Sequence, residues 1–353
     1  MTQPPPGIDR EHGLDRLEAT ITGQPDAISQ AITGNFDGIR DAAVLVAGAR
    51  RVRLCGVGLS ATTAQVGEQI LRTIGIDARA AHAFDTATYP TSFDPGDLLL
   101  VFAHRGTNAY TARVLQRAIH AGLKTIVISD QPDGMRGSDV RIDTTRGRDD
   151  DAPAAPFTAA LAILAAIAAR CEPQSRLASY VASLPEMARA MLPTRETAAE
   201  VAEIAIQPAR RTLILGAGGN AGTARAGALL VKTLAHLVCE GMHLEDAIHG
   251  GLLAHQPDDL LIQLAPAGPA DDRQADLAVV SNSIGFQRWK IGARNDGNRW
   301  HTPLPDTVDA LTPILTAIPL QWLALEATRA ANIDLDDAAQ TTHYAEAFSA
   351  IGL

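Results

Sequence analysis

Two ungapped stretches of this 353-residue chain repeat one another in order and spacing, and the repeat restricts its folds more than any other feature. "GVGLSATTA", residues 56–64, aligns on "GAGGNAGTA", residues 216–224, both reading GxGxxxxTA. About 40 residues later in each half, "PGDLLLVFAHRG" (95–106) aligns on "PDDLLIQLAPAG" (257–268). The offsets are 160 and 162 residues. A Gly turn or a Leu run alone carries little, but two matches at nearly one offset predict a duplicated domain.

Each half alternates strand and helix patterns. "RRVRLCGVG" reads as a short strand entering a Gly turn, and a helical stretch follows from about Ala61 to Thr73. "IDARAAHA" is a second strand, "DLLLVFA" a third, "AYTARVLQRAIHAG" a helix ended by Gly122, and "KTIVISD" a fourth strand. Continuous apolar strands joined by helices indicate a parallel sheet covered on both faces. The expected fold is α/β, two duplicated three-layer α/β/α units with parallel Rossmann-like sheets. The expected division is an N-terminal helical segment (1–34), a first unit (35–172), a linker helix (173–194), a second unit (195–330) and a C-terminal tail near the site (331–353). "TTRGRDDDAPAAP" (144–156) reads as an exposed loop.

Composition excludes several classes. The net charge of −10 and the lack of a dense Lys/Arg block argue against a nucleic-acid surface, so an anionic ligand needs a local cationic pocket. Cys55, Cys171 and Cys239 have no CxxC or zinc-type spacing and read as reduced, mostly buried thiols of a cytoplasmic protein. The N-terminus lacks the pattern of a signal peptide. The uncharged run 310–325 is broken by Pro313 and Pro319 and reads as too short for a membrane span.

Ligands of such sheets sit at the carboxyl ends of the strands, where the next helices present their N-termini. "HRGTN" is one such turn. Arg105 supplies a planar cation, and Thr107 and Asn108 either donate hydrogen bonds or cap the helix. The turn "CGVGLSATT" brings Ser60, Thr62 and Thr63 between glycines that let a ligand approach the backbone. A dinucleotide site is disfavoured because Gly58 is followed by Leu59-Ser60-Ala61, without the third glycine, and no ribose-binding acid ends the second strand. In "VKTLAHLVCEGMHLEDAIHGG" (231–251), read as largely helical, His236 and Glu240 at i, i+4 and His243 with Glu245 lack the converging ligands of a metal site. His249, before Gly250-Gly251 at a helix-to-loop boundary, is placed to reach a substrate and titrate near neutrality. No cofactor and no metal are expected.

The residues resemble the sugar isomerase (SIS) domain family in tandem, similar to the isomerase portion of glucosamine-6-phosphate synthases and related phosphosugar isomerases, deaminases and deglycases. The resemblance runs from "GQPDAISQAI" (23–32) through "CGVGLSA" and "EDAIHGG" to the tail "ANIDLDDAAQTTHYAE". It implies a sugar phosphate held by Ser60, Thr62 and the loop of His104, Arg105, Thr107 and Asn108. The family's Ser-x-Ser-Gly-x-Thr reads Ala103-His104-Arg105-Gly106-Thr107-Asn108 here, so a cation and an amide stand in for hydroxyl donors. The family's ring-opening histidine, contributed across a homodimer interface, falls on His249. Its catalytic glutamate falls on Thr233 after Lys232, and its C-terminal lysine on His343.

Glu240 matches a carboxylate position of the family helix, and with Glu245 it is a candidate substitute base. The implied function is an aldose–ketose isomerase or amino-sugar-phosphate deaminase or deglycase working by proton transfer on an open-chain sugar phosphate. The alternative is a non-catalytic phosphosugar-binding or regulatory protein. No glutaminase module or N-terminal nucleophilic cysteine precedes these units, which disfavours a full synthase.

Overall fold

The computed structural model describes residues 12–90, 92–104, 108–131, 135–144, 154–336 and 347. The first sheet holds β1 (Arg51–Gly56), β2 (Ala78–His82), β3 (Asp97–Ala103), β4 (Lys124–Ser129) and β5 (Val140–Asp143) in the order β2-β1-β3-β4-β5. The second holds β6 (Thr212–Gly216), β7 (Cys239–His243), β8 (Leu260–Ala265), β9 (Gln287–Gly292) and β10 (Trp300–Pro303) in the order β7-β6-β8-β9-β10. These are one order met twice, and the paired strands are parallel throughout. The fold is α/β, as the alternating patterns require. β3 covers the residues of the "DLLLVFA" run and is buried along its whole length, because helices close both faces of the sheet. β5 and β10, four residues each, are too short to carry a readable pattern.

Helices α1 (His12–Thr22), α2 (Gln24–Thr33) and α3 (Phe36–Gly48) precede β1. Within the first half lie α4 (Leu59–Thr73), α5 (Ala83–Thr88), α6 (Ala109–His120) and α7 (Ala154–Cys171). The segment 145–153 of the expected exposed loop lies outside the described residues. Next come α8 (Arg176–Val181), α9 (Leu184–Met191) and α10 (Arg195–Ala205). The second half holds α11 (Gly219–Leu234), α12 (Leu244–Ile248), α13 (Asp271–Ile284) and α14 (Thr312–Ala330).

The long apolar helix near the end is continuous, contrary to its reading as a broken run. Pro313 sits in its first turn, where a missing N–H costs nothing, and Pro319 is absorbed within it. It is long and apolar enough to cross a membrane, but its apolar window is wholly buried against the rest of the chain. α14 is the hub of the core: it packs on α11 and α10 and bears on α1, α9 and α7. Two of its polar groups pair with α11, Asn220 donating to Thr312 Oγ1 at 2.8 Å and accepting from Thr316 Oγ1 at 2.7 Å.

The two halves meet through α4 and α11. A Cβ at Gly222 would come within 2.7 Å of Val66 Cγ2 and 3.2 Å of the Thr62 carbonyl oxygen, so the absent side chain sets how closely the helices approach. Gly222→Val should cost about 1–3 kcal/mol by forcing them apart. Chemical denaturation checks this, and an unchanged midpoint would mean that the contact can relax.

Contacts along the pair run in opposite directions. Gly219 lies against Gln69 and Val66, Gly222 against Val66 and Thr62, and Arg225 donates to Gln65. The helices are therefore antiparallel, and Gly222, one turn into α11, lies beside the α4 turn that follows Ser60.

Candidate functional site

β1 and β3 are neighbours whose chains leave for opposite sides of the sheet, β1 toward β2 and β3 toward β4. That is the switch point at which such sheets bind ligands. After β1 the backbone turns through Gly58 at φ +58°, ψ −124°, a conformation in which a side chain is strained, and α4 starts at Leu59. Gly56 lies so close to the next turn that a Cβ there would meet the Ser60 carbonyl carbon at 2.5 Å. Ser60 is buried, and its Oγ accepts from the His104 backbone N–H at 3.3 Å. One hydroxyl thus bridges the turns after β1 and β3, the two that the sequence nominated.

The other expected phosphate contacts divide. Thr62 Oγ1 donates to the Leu59 carbonyl at 2.7 Å, so its proton is already engaged within the helix. Thr63 does the same at 2.9 Å. Asn108 caps α6, its Oδ1 accepting from Tyr110 N at 2.9 Å, which is the capping role its position allowed. Arg105 and Thr107 lie outside the described residues, as does His343.

In the second half the matching turns enclose a different environment. Gly218 repeats the strained turn at φ +53°, ψ −130°. A small pocket of about 230 Å³ lies between this turn and Pro266–Ala270, with Asp309 and Gln69 on its walls. An Asp309 oxygen stands 3.8 Å from where a Cβ at Gly218 would be, and another 3.6 Å from the same point on Gly268. Burial, reinforced by the Asp271 charge, pushes the Asp309 carboxyl up. A carboxyl group between the two turns disfavours an anion there, whereas no acid was read into their first-half counterparts.

The hydrogen bonds of His249 and Glu245 run to each other and to Arg273, and the bond of Ser60 runs to His104. β7 ends beside β6, with His243 opposite Gly216, so α12 lies at the carboxyl end of the second sheet. This is also the N-terminal end of α11, whose Gly222 packs on the α4 turn just after Ser60, the Thr62 carbonyl oxygen standing 3.2 Å from its missing Cβ. His249 caps the C-terminus of α12 with its side chain 71% exposed, and its Nε2–H donates to Glu245 Oε1 at 3.0 Å. Arg273, in the first turn of α13, grips both Glu245 oxygens at 2.7 and 2.8 Å. Arg273's hydrogen bonds, against the opposing effect of burial and aided by His249, hold the Glu245 carboxyl at about 2. A carboxylate so stabilised is a poor base at neutral pH. Its geometry suits orienting His249.

Glu240 also departs from its expected setting. The stretch read as helical breaks after Leu234 at His236, which adopts φ +54°, and resumes as the edge strand β7. Cys239 and Gly241 face α11, and Glu240 alternates onto the opposite, exposed face. Thr233, at the family's glutamate position, is exposed and donates to the Leu229 carbonyl at 3.0 Å. Among the described residues, no three His, Cys, Asp or Glu side chains gather closely enough to hold a metal ion. All three cysteines are free, and burial pushes Cys55 and Cys239 up to about 12.

One repeated feature escaped the sequence reading. His82 and His243 occupy equivalent strand ends, and each imidazole Nδ1 accepts the N–H two residues on, at 3.2 and 3.1 Å, capping α5 and α12. Their separation of 161 residues falls between the two offsets of the repeat and was the available signal.

Comparison with known proteins agrees with the architecture. The SIS domain family model matches residues 45–170. The chain is 24% identical over 321 residues to the isomerizing glutamine–fructose-6-phosphate aminotransferase of Thermococcus kodakarensis, covering 86% of this chain and 53% of that protein. It spans about half the length of such curated relatives. In fold it is similar to the C-terminal domain of glucosamine-fructose-6-phosphate aminotransferase from Francisella tularensis (TM-score 0.80, 19% identity, 90% of this chain and 96% of that one). It is likewise similar to tagatose-6-phosphate ketose/aldose isomerase from Escherichia coli (TM-score 0.75, 20% identity, 89% and 92%). The SIS domain match thus lies over β1, β3 and the two turns that Ser60 joins.

Proposed function

We propose that the first half of this chain binds a sugar phosphate, with the phosphate over the turns that follow β1 and β3. The observation that carries the reading is the Ser60–His104 bond, which fixes two helix-leading turns around one space at the switch point of the sheet. Ser60 and the backbone of the turns are the structural donors, and Arg105 supplies the charge. Fructose 6-phosphate, named in the function of the curated relatives, is the first ligand to test.

A second reading, proton-transfer catalysis of the isomerase or deaminase type, is favoured by the Arg273–Glu245–His249 chain, which holds an exposed imidazole in one orientation. His249 bonds to Glu245 of its own helix and not to Ser60, and in this reading a homodimer forms in which a second copy presents its His249. Leu253, 88% exposed four residues beyond it, is apolar surface suited to such a contact.

Incubation with fructose 6-phosphate or glucosamine 6-phosphate in deuterated water separates the two readings. Catalysis labels C2, whereas binding without label leaves the non-catalytic role. Arg105→Ala should weaken binding by about 1.5–3 kcal/mol through loss of a charge-assisted bond. An unchanged dissociation constant by calorimetry would place the anion elsewhere.

A further inference from the structure

The repeat aligns Leu98 with Leu260, and strand register then matches Val101 to Gln263, Thr125 to Arg288 and Val127 to Lys290. In the first half these positions belong to a closed face. Val101 and Val127 pack in an apolar cluster with Leu115, and the β4–β5 connection adds the buried Met135. In the second half the same face is polar and open. The β9–β10 connection, residues 293–299, is three residues shorter than 130–139 and adds no apolar cover of that kind. Between α13, β9 and this connection lies a groove of about 430 Å³, within the size range of small-molecule sites.

At its base is Arg288, whose side chain is only 2% exposed. Its Nη1 donates to Gln263 Oε1 at 2.9 Å and Asp296 Oδ2 at 2.7 Å. Gln263 is itself fixed by donating to the Gln274 carbonyl and Oε1, both at 2.8 Å. Arg288 Nε is buried and has no acceptor among the described residues. A guanidinium donor taken out of water without a partner is costly, and Arg288 lines the groove. Lys290 shares Asp296 at 3.3 Å, and Arg294 stands on the rim, so three cations face Asp296 and Asp271. Ala275 and Ala278 of α13 form a small-residue wall opposite.

We propose that this groove is a second ligand site, separate from the first-half turns, that binds a small organic anion. Its carboxylate or phosphate lies against the Nε edge of Arg288, with Lys290 and Arg294 beside it, and its uncharged body lies along the Ala275–Ala278 wall. An edge-on guanidinium suits the planar or tripod oxygens of either head group. The proposal does not depend on the sugar-phosphate reading, since no residue is shared.

The test follows the Nε–Hε signal of Arg288 in the nitrogen-15 spectrum of the full chain during titration with inorganic phosphate, phenyl phosphate and succinate, alongside calorimetry. We expect a saturable shift with at least one anion, the phosphate and succinate arms identifying the head group. Ala275→Phe, an exposed position whose larger side chain fills the groove, should lower that affinity about tenfold or more without changing the melting temperature. Lys290→Met should lower it severalfold. Arg288→Gln serves only to assign the signal, since it also disturbs Gln263 and Asp296. An Arg288 signal that stays put at millimolar anion, or a shift that survives Ala275→Phe, would overturn the proposal and leave the network as a structural replacement for the valines.

Discussion

Alanine at Gly56 and alanine at Gly216 are expected to destabilise the chain by similar amounts, about 1–3 kcal/mol each, yet only the first should weaken sugar-phosphate binding. The two glycines end β1 and β6, the equivalent strands of the two halves. A Cβ at Gly56 would meet the Ser60 carbonyl carbon at 2.5 Å and the oxygen at 2.6 Å, and one at Gly216 would meet the Asn220 carbonyl oxygen at 2.3 Å. Both contacts are with backbone, so the following turn itself must move. In the first half that movement pulls Ser60 away from His104 N and opens the space between the turns, for an expected loss of more than about tenfold in affinity, about 1.4 kcal/mol. In the second half it disturbs a pocket already walled by Asp309, where an anion is unwelcome. Calorimetric titration with fructose 6-phosphate, paired with denaturation of each variant, separates the two effects. If Gly216→Ala weakened binding and Gly56→Ala did not, the phosphate would belong to the other half.

The contrast between those glycines explains how much could be read from the chain. The GxG turns and the apolar β3 and β8 runs are legible because they answer local demands: a backbone conformation strained for any side chain, and burial on both faces of a sheet. The polar first-half turn and its bland twin were legible too. Asp309, which tips the electrostatics of the second pocket, was not, because it arrives from 41 residues beyond Gly268, on the approach to α14. Helical spacing misled between residues 235 and 249. β7 is a five-residue edge strand whose Gly241 lets the Ala224 carbonyl approach to within 2.2 Å of the missing Cβ, a tertiary demand with no local periodicity. The acids there read as helix neighbours of His249, but the structure turns Glu240 to the exposed face of a strand and ties Glu245 to Arg273, 28 residues away. Pro319 misled in the other direction: burial on all sides keeps α14 intact through a residue that would break an isolated helix.

Where deuterium exchange at C2 is observed, His249→Ala should reduce it by about a hundredfold or more while leaving the affinity for sugar phosphate nearly unchanged. The imidazole bonds to Glu245 and not to Ser60 or His104, so its loss removes proton transfer without touching the phosphate turns. Thr233→Ala should leave most of the exchange, since a hydroxyl bonded to the Leu229 carbonyl is no carboxylate base. The decisive form of the experiment mixes two impaired chains at a sugar-phosphate concentration well below the dissociation constant, where weakened binding lowers the rate in proportion. In a two-fold homodimer that pairs the turns of one copy with His249 of the other, a His249→Ala chain joined to a Gly56→Ala chain has one site wholly intact and one doubly damaged. Random reassociation makes half of the dimers mixed, so about one quarter of the wild-type rate should return. Recovery of that size requires His249 to act across the interface. A mixture as inactive as its components would mean that the histidine serves its own chain or takes no part in the chemistry, and the Arg273–Glu245–His249 chain would then be a surface ion pair with a helix to hold.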